Sequence, residues 1–135
     1  MAKRVYIETT IPGYLAAWPS RDIIQAARQQ LTHDWWNIER LNYDLCVSET
    51  VLDEAAAGDA VAAERRLALI EDLPLRAAHD SIHIAVAAVH GIDLLLTWNC
   101  KHIANATMRF KFERTCRLGG FAPPIICTPE ELSED

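Results

Sequence analysis

An α/β fold, with a mostly parallel five-stranded sheet between two layers of helices, is predicted by three features of the sequence. Short apolar segments rich in β-branched residues alternate with longer segments whose apolar residues recur at helical spacing. The segment at 93–97 has a Leu-Leu-Leu centre, as expected for a central parallel strand that is buried on both faces. Polar residues directly follow several predicted strands, which is typical of a ligand site at the carboxyl edge of such a sheet.

The length and composition of the chain narrow the class of protein. Its 135 residues are expected to form one domain spanning 1–135. No apolar run approaches the roughly 20 residues of a membrane-spanning helix, and the run that ends at Glu8 is too short for a signal peptide. The four cysteines lie far apart without a C-x-x-C pair. The sequence therefore favours reduced thiols in a cytoplasmic protein with no membrane partner.

The predicted elements follow one another along the chain. Strands are expected at 5–7, 45–48, 73–75, 93–97 and 124–127. Helices are expected at 23–31, 33–41, 49–57, 60–71, 77–90 and 104–118, with a loop at 11–20 and a helix start at 128–131. Ser48 and Asp59 are suited to cap the helices that follow them, because their side chains can accept hydrogen bonds from free backbone N–H groups.

Oxygen-bearing side chains gather at one edge of the predicted sheet, near strand ends or helix starts. Because hard oxygen ligands suit Mg²⁺ and Mn²⁺, the sequence predicts a site for one of these ions. The expected site residues are Glu8, Glu54, Asp80 and Asn99, with hydroxyl support from Thr9, Thr10 and Thr97.

The acidic cluster also suggests a reaction. Carboxylates that repel one another require a cation or raised pKa values. With a phosphodiester as substrate, a bound cation could activate water and neutralise charge on the scissile phosphate. Asn99 could ligate or orient water through its carbonyl but supplies no charge. His83 and His102 are alternative general bases, although lone histidines are more often structural.

The charge of the chain is unevenly distributed. A net charge of −6 argues against a protein that coats nucleic acid by bulk charge. The region 100–120 nevertheless carries five Lys or Arg residues against one acid, so it is either a local phosphate-binding face or a solvated helix face. The candidate backbone contacts are Lys101, Arg109, Lys111 and Arg114.

Four segments together resemble the PIN-domain family. They are Tyr-Ile-Glu-Thr-Thr-Ile-Pro at 6–12, Val-Ser-Glu-Thr-Val-Leu-Asp-Glu at 47–54, Asp-Ser-Ile-His-Ile-Ala at 80–85 and Leu-Leu-Thr-Trp-Asn at 95–99. The chain is most similar to the VapC-like ribonuclease toxins, over nearly its whole length. The resemblance implies a Mg²⁺- or Mn²⁺-dependent endoribonuclease that acts on RNA, forms a homodimer and is inhibited by a small antitoxin. It places the metal-binding acids at Glu8, Glu54 and Asp80, and the fourth site position at Asn99.

The chain departs from the family pattern at three points. Glu8 and Asn99 both stand where the family usually has Asp. Because Asn99 is neutral, the site has three negative charges rather than four, which puts tight binding of a second metal in doubt. Relatives also carry an additional helix between the third strand and the helix of Asp80. Here only Arg76 separates Leu75 from Ala77, so either the chain is truly shortened or a segment is missing at this point, and the second alternative is favoured.

Two other classes of protein are also considered from the sequence. Glu8 and Asn99 favour a PIN-like module that binds RNA or protein without cutting. A flavodoxin- or receiver-like domain shares the architecture. A receiver, however, needs a Lys near its last strand, and here the last strand is followed by Thr128 and Pro129. Trp35 and Trp36 are expected in the core or on a partner surface rather than as a platform for nucleotide stacking. Because aromatic residues are enriched at interfaces, Trp18, Trp35 and Trp36 together are candidates for a surface that binds a second copy or an antitoxin.

Overall fold

The computed structural model describes residues 2–77, 91–99, 103 and 105–133. Its strands are β1 (Lys3–Ile7), β2 (Tyr43–Ser48), β3 (Leu75–Ala77), β4 (Leu94–Leu96) and β5 (Ile125–Cys127). Its α-helices are α1 (Thr10–Ala16), α2 (Ile23–Asn37), α3 (Glu49–Ala55), α4 (Ala60–Ile70) and α5 (Ala106–Leu118), and a 3₁₀ helix spans Glu39–Asn42. The predicted helix at 77–90 lies outside the described residues, apart from Ala77, which belongs to β3.

The strands pair in the order β3-β2-β1-β4-β5, and every pair is parallel. Four strands form a regular ladder, in which Val5 of β1 pairs with Leu45 on one side and Leu94 on the other. β3 joins β2 only through an irregular register. The predicted α/β class and parallel sheet are therefore confirmed, and the arrangement is compatible with three layers, but only four of the five strands pair regularly.

The strand order reverses between β1 and β4. The chain passes from β1 to β2 on one side, whereas β4 and β5 extend the sheet on the other side. In parallel α/β sheets a crevice opens at the carboxyl ends of the two strands that flank such a reversal. Glu8 follows β1 and Thr97 follows β4, so both residues lie at this crevice.

The core surrounds the central strands. Residues 5–7 of β1 and 94–96 of β4 are all buried, which confirms the sequence pattern of a strand covered on both faces. Trp35 and Trp36 of α2 are buried as well, whereas Trp18 is 76% exposed. The predicted partner surface of three tryptophans is therefore wrong, because two of the three indoles pack into the core.

Several predicted boundaries are corrected by the structure. The predicted loop at 11–20 contains α1, because Pro12 lies in the first helical turn, where the missing N–H has no helical partner to lose. The predicted helix at 23–31 continues through the expected break at Thr32 as α2, which ends at Asn37. The end of the predicted helix at 33–41 lies in the 3₁₀ helix Glu39–Asn42. The segment after Thr128 forms turns rather than a helix. β3 runs without interruption through Arg76, and the omission of a segment there stays a prediction.

Two predicted helix starts are confirmed. The Ser48 side chain accepts a hydrogen bond from Val51 N at 3.3 Å, and the Asp59 side chain accepts one from Ala62 N at 3.0 Å. Within the described ranges, no helix is both long enough and apolar enough to cross a membrane.

Candidate functional site

Glu8 is held at the strand reversal by main-chain and side-chain hydrogen bonds. Its N–H donates to the carbonyl of Leu96 at 3.1 Å, which continues the pairing of β1 with β4 by one residue. The hydroxyls of Thr10 and Thr97 both donate to Glu8 Oε1 at 2.5 Å. The side chain is only 5% exposed. Two hydroxyl donors to one buried oxygen fix the carboxylate in a single orientation.

Glu54 reaches the same place from the neighbouring strand. Helix α3 begins directly after β2 and buries Val51 and Ala55, which leaves Glu54 exposed at the border of the buried face. The hydroxyl of Thr9 donates to Glu54 Oε1 at 2.6 Å. Consecutive residues after β1 therefore place both acids: Glu8 supplies one carboxylate, and Thr9 holds the other.

A buried phenol lies beneath the two acids. The hydroxyls of Tyr6 on β1 and Ser48 on β2 are hydrogen-bonded at 2.6 Å. Burial raises the pKa of Tyr6, the bond with Ser48 opposes this shift, and the charges of Glu54 and Glu8 raise the pKa further. Tyr6 therefore stays neutral and braces the two strands that carry the acids.

The segment after β4 is fixed by three hydrogen bonds. Trp98 N donates to Thr10 Oγ1 at 2.8 Å, and Asn99 N donates to Thr97 Oγ1 at 2.9 Å. The indole Nε1 of Trp98 donates to Thr32 Oγ1 of α2 at 2.7 Å. Asn99 is half-buried beside the acids as a result, and Trp98 anchors the strand end to α2.

The structure brings most of the described site residues together. Thr97 is hydrogen-bonded to Glu8 and to the backbone N–H of Asn99, and Thr9 is hydrogen-bonded to Glu54. The two sets meet because Thr9 directly follows Glu8 in the chain. Four residues singled out from the sequence lie outside the described residues, namely Asp80, His83, Lys101 and His102.

The donor chemistry of the site fits a hard cation. The described site residues offer only oxygen donors, of which two are carboxylates, and oxygen is what Mg²⁺ and Mn²⁺ prefer. Within the part of the chain that the structure describes, no group of three His, Cys, Asp or Glu side chains is arranged to hold a metal ion. Glu8 and Glu54 are thus two of the three acids expected from the sequence.

The predicted phosphate contacts differ in their surroundings. Arg109 forms an ion pair with Glu131 at 3.2 Å, which ties α5 to the segment after β5. Burial of Glu131 raises its pKa, but hydrogen bonds from Arg109 and Thr128 outweigh this effect and lower the pKa below its usual value. Arg109 is therefore engaged within the protein, whereas Lys111 and Arg114 are exposed on α5.

A cleft of about 370 Å³ opens beside Thr10, between α1 and the start of α2. Its lining residues are Thr10, Gly13, Tyr14, Ala17, Trp18, Ser20, Gln25 and Gln29. Sequence reasoning missed this cleft because it treated the residues of α1 as a loop. It also missed the bonds of Tyr6 to Ser48 and of Trp98 to Thr32, for which no local pattern gives a signal.

The arrangement can hold a charged ligand in a fixed geometry. Two carboxylates, three hydroxyls and one amide residue meet at a strand reversal, and the hydrogen bonds among them set their orientation before any ligand arrives. Comparisons of the chain with protein-family models, with curated proteins and with solved structures each return no match. The function is therefore inferred from the site and from the sequence motifs.

Proposed function

We propose that the chain is a metal-dependent endoribonuclease with a PIN-like fold, and the toxin of a toxin–antitoxin pair. The observation that carries the proposal is the fixed position of Glu8 at the strand reversal, with Glu54 tied to the same chain segment through Thr9. Glu8 and Glu54 are also two of the acids in the sequence motifs that resemble the PIN-domain family. The proposal includes Asp80 as the third acid.

The proposed chemistry divides between the ion and the chain. Glu8, Glu54 and Asp80 would hold Mg²⁺ or Mn²⁺, with Asn99 as a neutral neighbour. A divalent cation bound there supplies Lewis acidity toward water and toward the scissile phosphate. Thr97 and Thr10 keep the Glu8 carboxylate in place, and Thr9 does the same for Glu54. This pre-orientation reduces the reorganisation that the reaction would require.

The three-layer arrangement is part of the same proposal. The chain moves along the sheet in one direction from β1 to β3 and in the opposite direction from β4 to β5. If each crossover is right-handed, as parallel crossovers almost always are, helices α1–α4 cover one face of the sheet and α5 covers the other.

The proposed partners are RNA, a small antitoxin and a second copy of the chain, all in the cytoplasm. Ile23 and Ile24 at the start of α2 are 86% and 64% exposed. Adjacent exposed isoleucines favour an apolar contact with a protein partner.

The proposal is tested by incubating the purified protein with a mixed RNA pool in Mg²⁺, Mn²⁺ or EDTA. We expect metal-dependent cuts that fall by roughly 100-fold or more in Glu8→Gln, since loss of even an outer partner of a metal site lowers activity by about 10- to 100-fold. Asp80→Asn should behave in the same way. Glu71→Gln is the matched control, because Glu71 is an exposed acid at the end of α4. Undiminished cutting by a folded Glu8→Gln variant contradicts the proposal.

A second candidate function is an RNA- or protein-binding module that does not cut. It is favoured by the two hydroxyls that already donate to Glu8 Oε1, and by the lack of charge on Asn99. RNA that is retained by the wild-type protein but stays intact in Mg²⁺ and Mn²⁺ would favour this module over the nuclease.

A further inference from the structure

We infer that the cleft between α1 and the start of α2 is a subsite for a nucleobase of single-stranded RNA. The inference deepens the proposed nuclease function and rests on it. The cleft would bind a base next to the RNA phosphate at the acidic site, which is the site formed by Glu8 and Glu54. Four observations carry it: a shared residue, an aromatic wall, an unfilled space above a helical glycine and nearby cations.

The cleft and the acidic site share Thr10. This residue lines the cleft, and its hydroxyl donates to Glu8 Oε1 at 2.5 Å. An RNA strand whose phosphate is bound at the site of Glu8 and Glu54 therefore has the cleft directly beside that phosphate. A neighbouring nucleotide is the part of an RNA strand that could fill it.

The outer wall of the cleft offers an aromatic surface. Trp18 is 76% exposed, although the guanidinium of Arg65 lies 4.5 Å from the centre of its ring. One face of the indole thus has a cation against it, while most of the ring remains accessible. Stacking on such a ring is available to any base, because every base has a π-face.

The loop that carries Trp18 is held in place by one amide side chain. Gln29 Nε2 donates to the carbonyl of Trp18 at 2.9 Å, and Gln29 Oε1 accepts a hydrogen bond from Ser20 N at 2.8 Å. The aromatic wall is therefore braced before a ligand binds. Gln25 lies one turn earlier on α2, is exposed and brings both an amide donor and a carbonyl acceptor to the cleft.

Gly13 leaves open space in the cleft. It lies inside α1, where glycine is less favourable than alanine. A Cβ added at Gly13 would meet no atom within 4 Å, and its backbone is not left-handed. Neither chain conformation nor packing within the protein requires the absence of a side chain here. The space above it is available to a ligand.

Positive charge lies close to the cleft although the chain as a whole is acidic. Arg28 lies 5.3 Å from the ring of Trp98 and contacts Tyr14 OH at 3.5 Å, and Tyr14 lines the cleft. Arg65 lies against Trp18 at the other side. Cations beside aromatic rings are the combination that binds single-stranded nucleic acid, because they attract the backbone while the rings stack the bases.

The inference is tested by the binding of a fluorescein-labelled single-stranded RNA, measured by anisotropy in EDTA so that metal-dependent cleavage does not interfere. We expect Trp18→Ala to weaken binding about tenfold, within the range for loss of one stacked base. Trp18→Phe keeps a ring and should stay within about threefold of the wild type. Gly13→Leu fills the cleft and should weaken binding about as much as Trp18→Ala, whereas Gly13→Ala leaves most of the space and should not.

An oligonucleotide with the same sugar–phosphate backbone but abasic positions separates base from backbone. It should bind the wild type about tenfold more weakly than the intact RNA and should no longer distinguish Trp18→Ala from the wild type. Circular dichroism of each variant confirms that the fold is retained.

The outcomes separate the inference from the nuclease proposal. Equal affinity of wild type, Trp18→Ala and Gly13→Leu, including no measurable binding by any of them, overturns the inference and leaves the cleft to a protein segment. Binding that depends on Trp18 without any metal-dependent cleavage supports the base subsite and contradicts the nuclease. Cleavage by the wild type with no effect of either substitution on binding supports the nuclease and overturns the subsite.

Discussion

Thr97 Oγ1 donates a hydrogen bond to Glu8 Oε1 at 2.5 Å, although the two residues lie 89 positions apart in the chain. The same Thr97 hydroxyl accepts a hydrogen bond from Asn99 N at 2.9 Å. Thr97 is fully buried. One hydroxyl therefore fixes both the carboxylate after β1 and the amide residue after β4, and its removal should disturb both.

Thr97→Val tests this double role. Valine keeps the shape of threonine but leaves Glu8 with one donor fewer and Asn99 N without its acceptor. We expect the free energy of unfolding to fall by about 2 kcal/mol and RNA cleavage to fall about tenfold. Urea denaturation and the RNA assay measure the two effects. Thr97→Ser keeps the hydroxyl and should lose much less activity; equal losses in both variants would mean that packing, not the hydrogen bond, is responsible.

The bond between Trp98 Nε1 and Thr32 Oγ1 should be measurable in a double-mutant cycle. Both residues are buried, and the bond joins the end of β4 to α2. We expect Trp98→Phe and Thr32→Val to couple by about 1 kcal/mol in the free energy of unfolding, because each removes one partner of the same buried bond. Strictly additive effects of the two substitutions would show that the bond adds no stability.

Stability should fall in alkali because of Cys127. Burial and the charge of Glu131 raise the pKa of its thiol, Arg109 opposes the shift, and the resulting pKa is about 12. The unfolded chain, in which a cysteine has a pKa near ~8.5, therefore loses this proton first. The contribution of the protonated Cys127 thiol to the free energy of unfolding is complete below about pH 8.5 and is lost as the pH rises toward 12.

The measurement is urea denaturation at several pH values between 8 and 11. Above about pH 9, the wild type should lose up to about 1.4 kcal/mol more per pH unit than Cys127→Ala. Tyr6 is present in both proteins, so its ionisation does not contribute to the difference. Parallel curves for the two proteins would show that the buried thiol is not the cause.

Gly13→Ala should stabilise the protein. The glycine lies inside α1 and its added methyl group meets no atom within 4 Å, so only the helical preference changes. We expect a gain of roughly 0.5–1 kcal/mol in thermal or urea unfolding. Gly58 has a φ of 84°, and Gly58→Ala should instead destabilise, which makes it the matched control. A destabilised Gly13→Ala would mean that the helix is strained at this position.

The sequence predicted the elements with strong local signals. The triple leucine of β4 and the caps at Ser48 and Asp59 each depend on a short stretch of chain, and each was found as predicted. α1 was missed because Pro12 and Gly13 read as a strand break and a turn, although the first helical turn tolerates proline.

The site was predicted in part. Glu8, Glu54 and Thr97 lie together because parallel strands bring their carboxyl ends to one edge, a rule that needs no contact information. The support beneath them could not be predicted, since the Tyr6–Ser48 and Trp98–Thr32 bonds join residues 42 and 66 positions apart. Such pairings depend on the register of neighbouring strands and on the rotation of α2, which the local pattern does not encode.

The reversal of strand order between β1 and β4 also determines when the site can form during synthesis. β2 can pair with one edge of β1 as soon as residues 43–48 have left the ribosome, but the other edge waits for residues 94–96. A nascent or truncated chain that ends before Leu94 therefore lacks both the neighbour of β1 and the Thr97 hydroxyl on Glu8. Because closing so long a loop is slow relative to local pairing, we expect the contact between Glu8 and Thr97 to form late in folding.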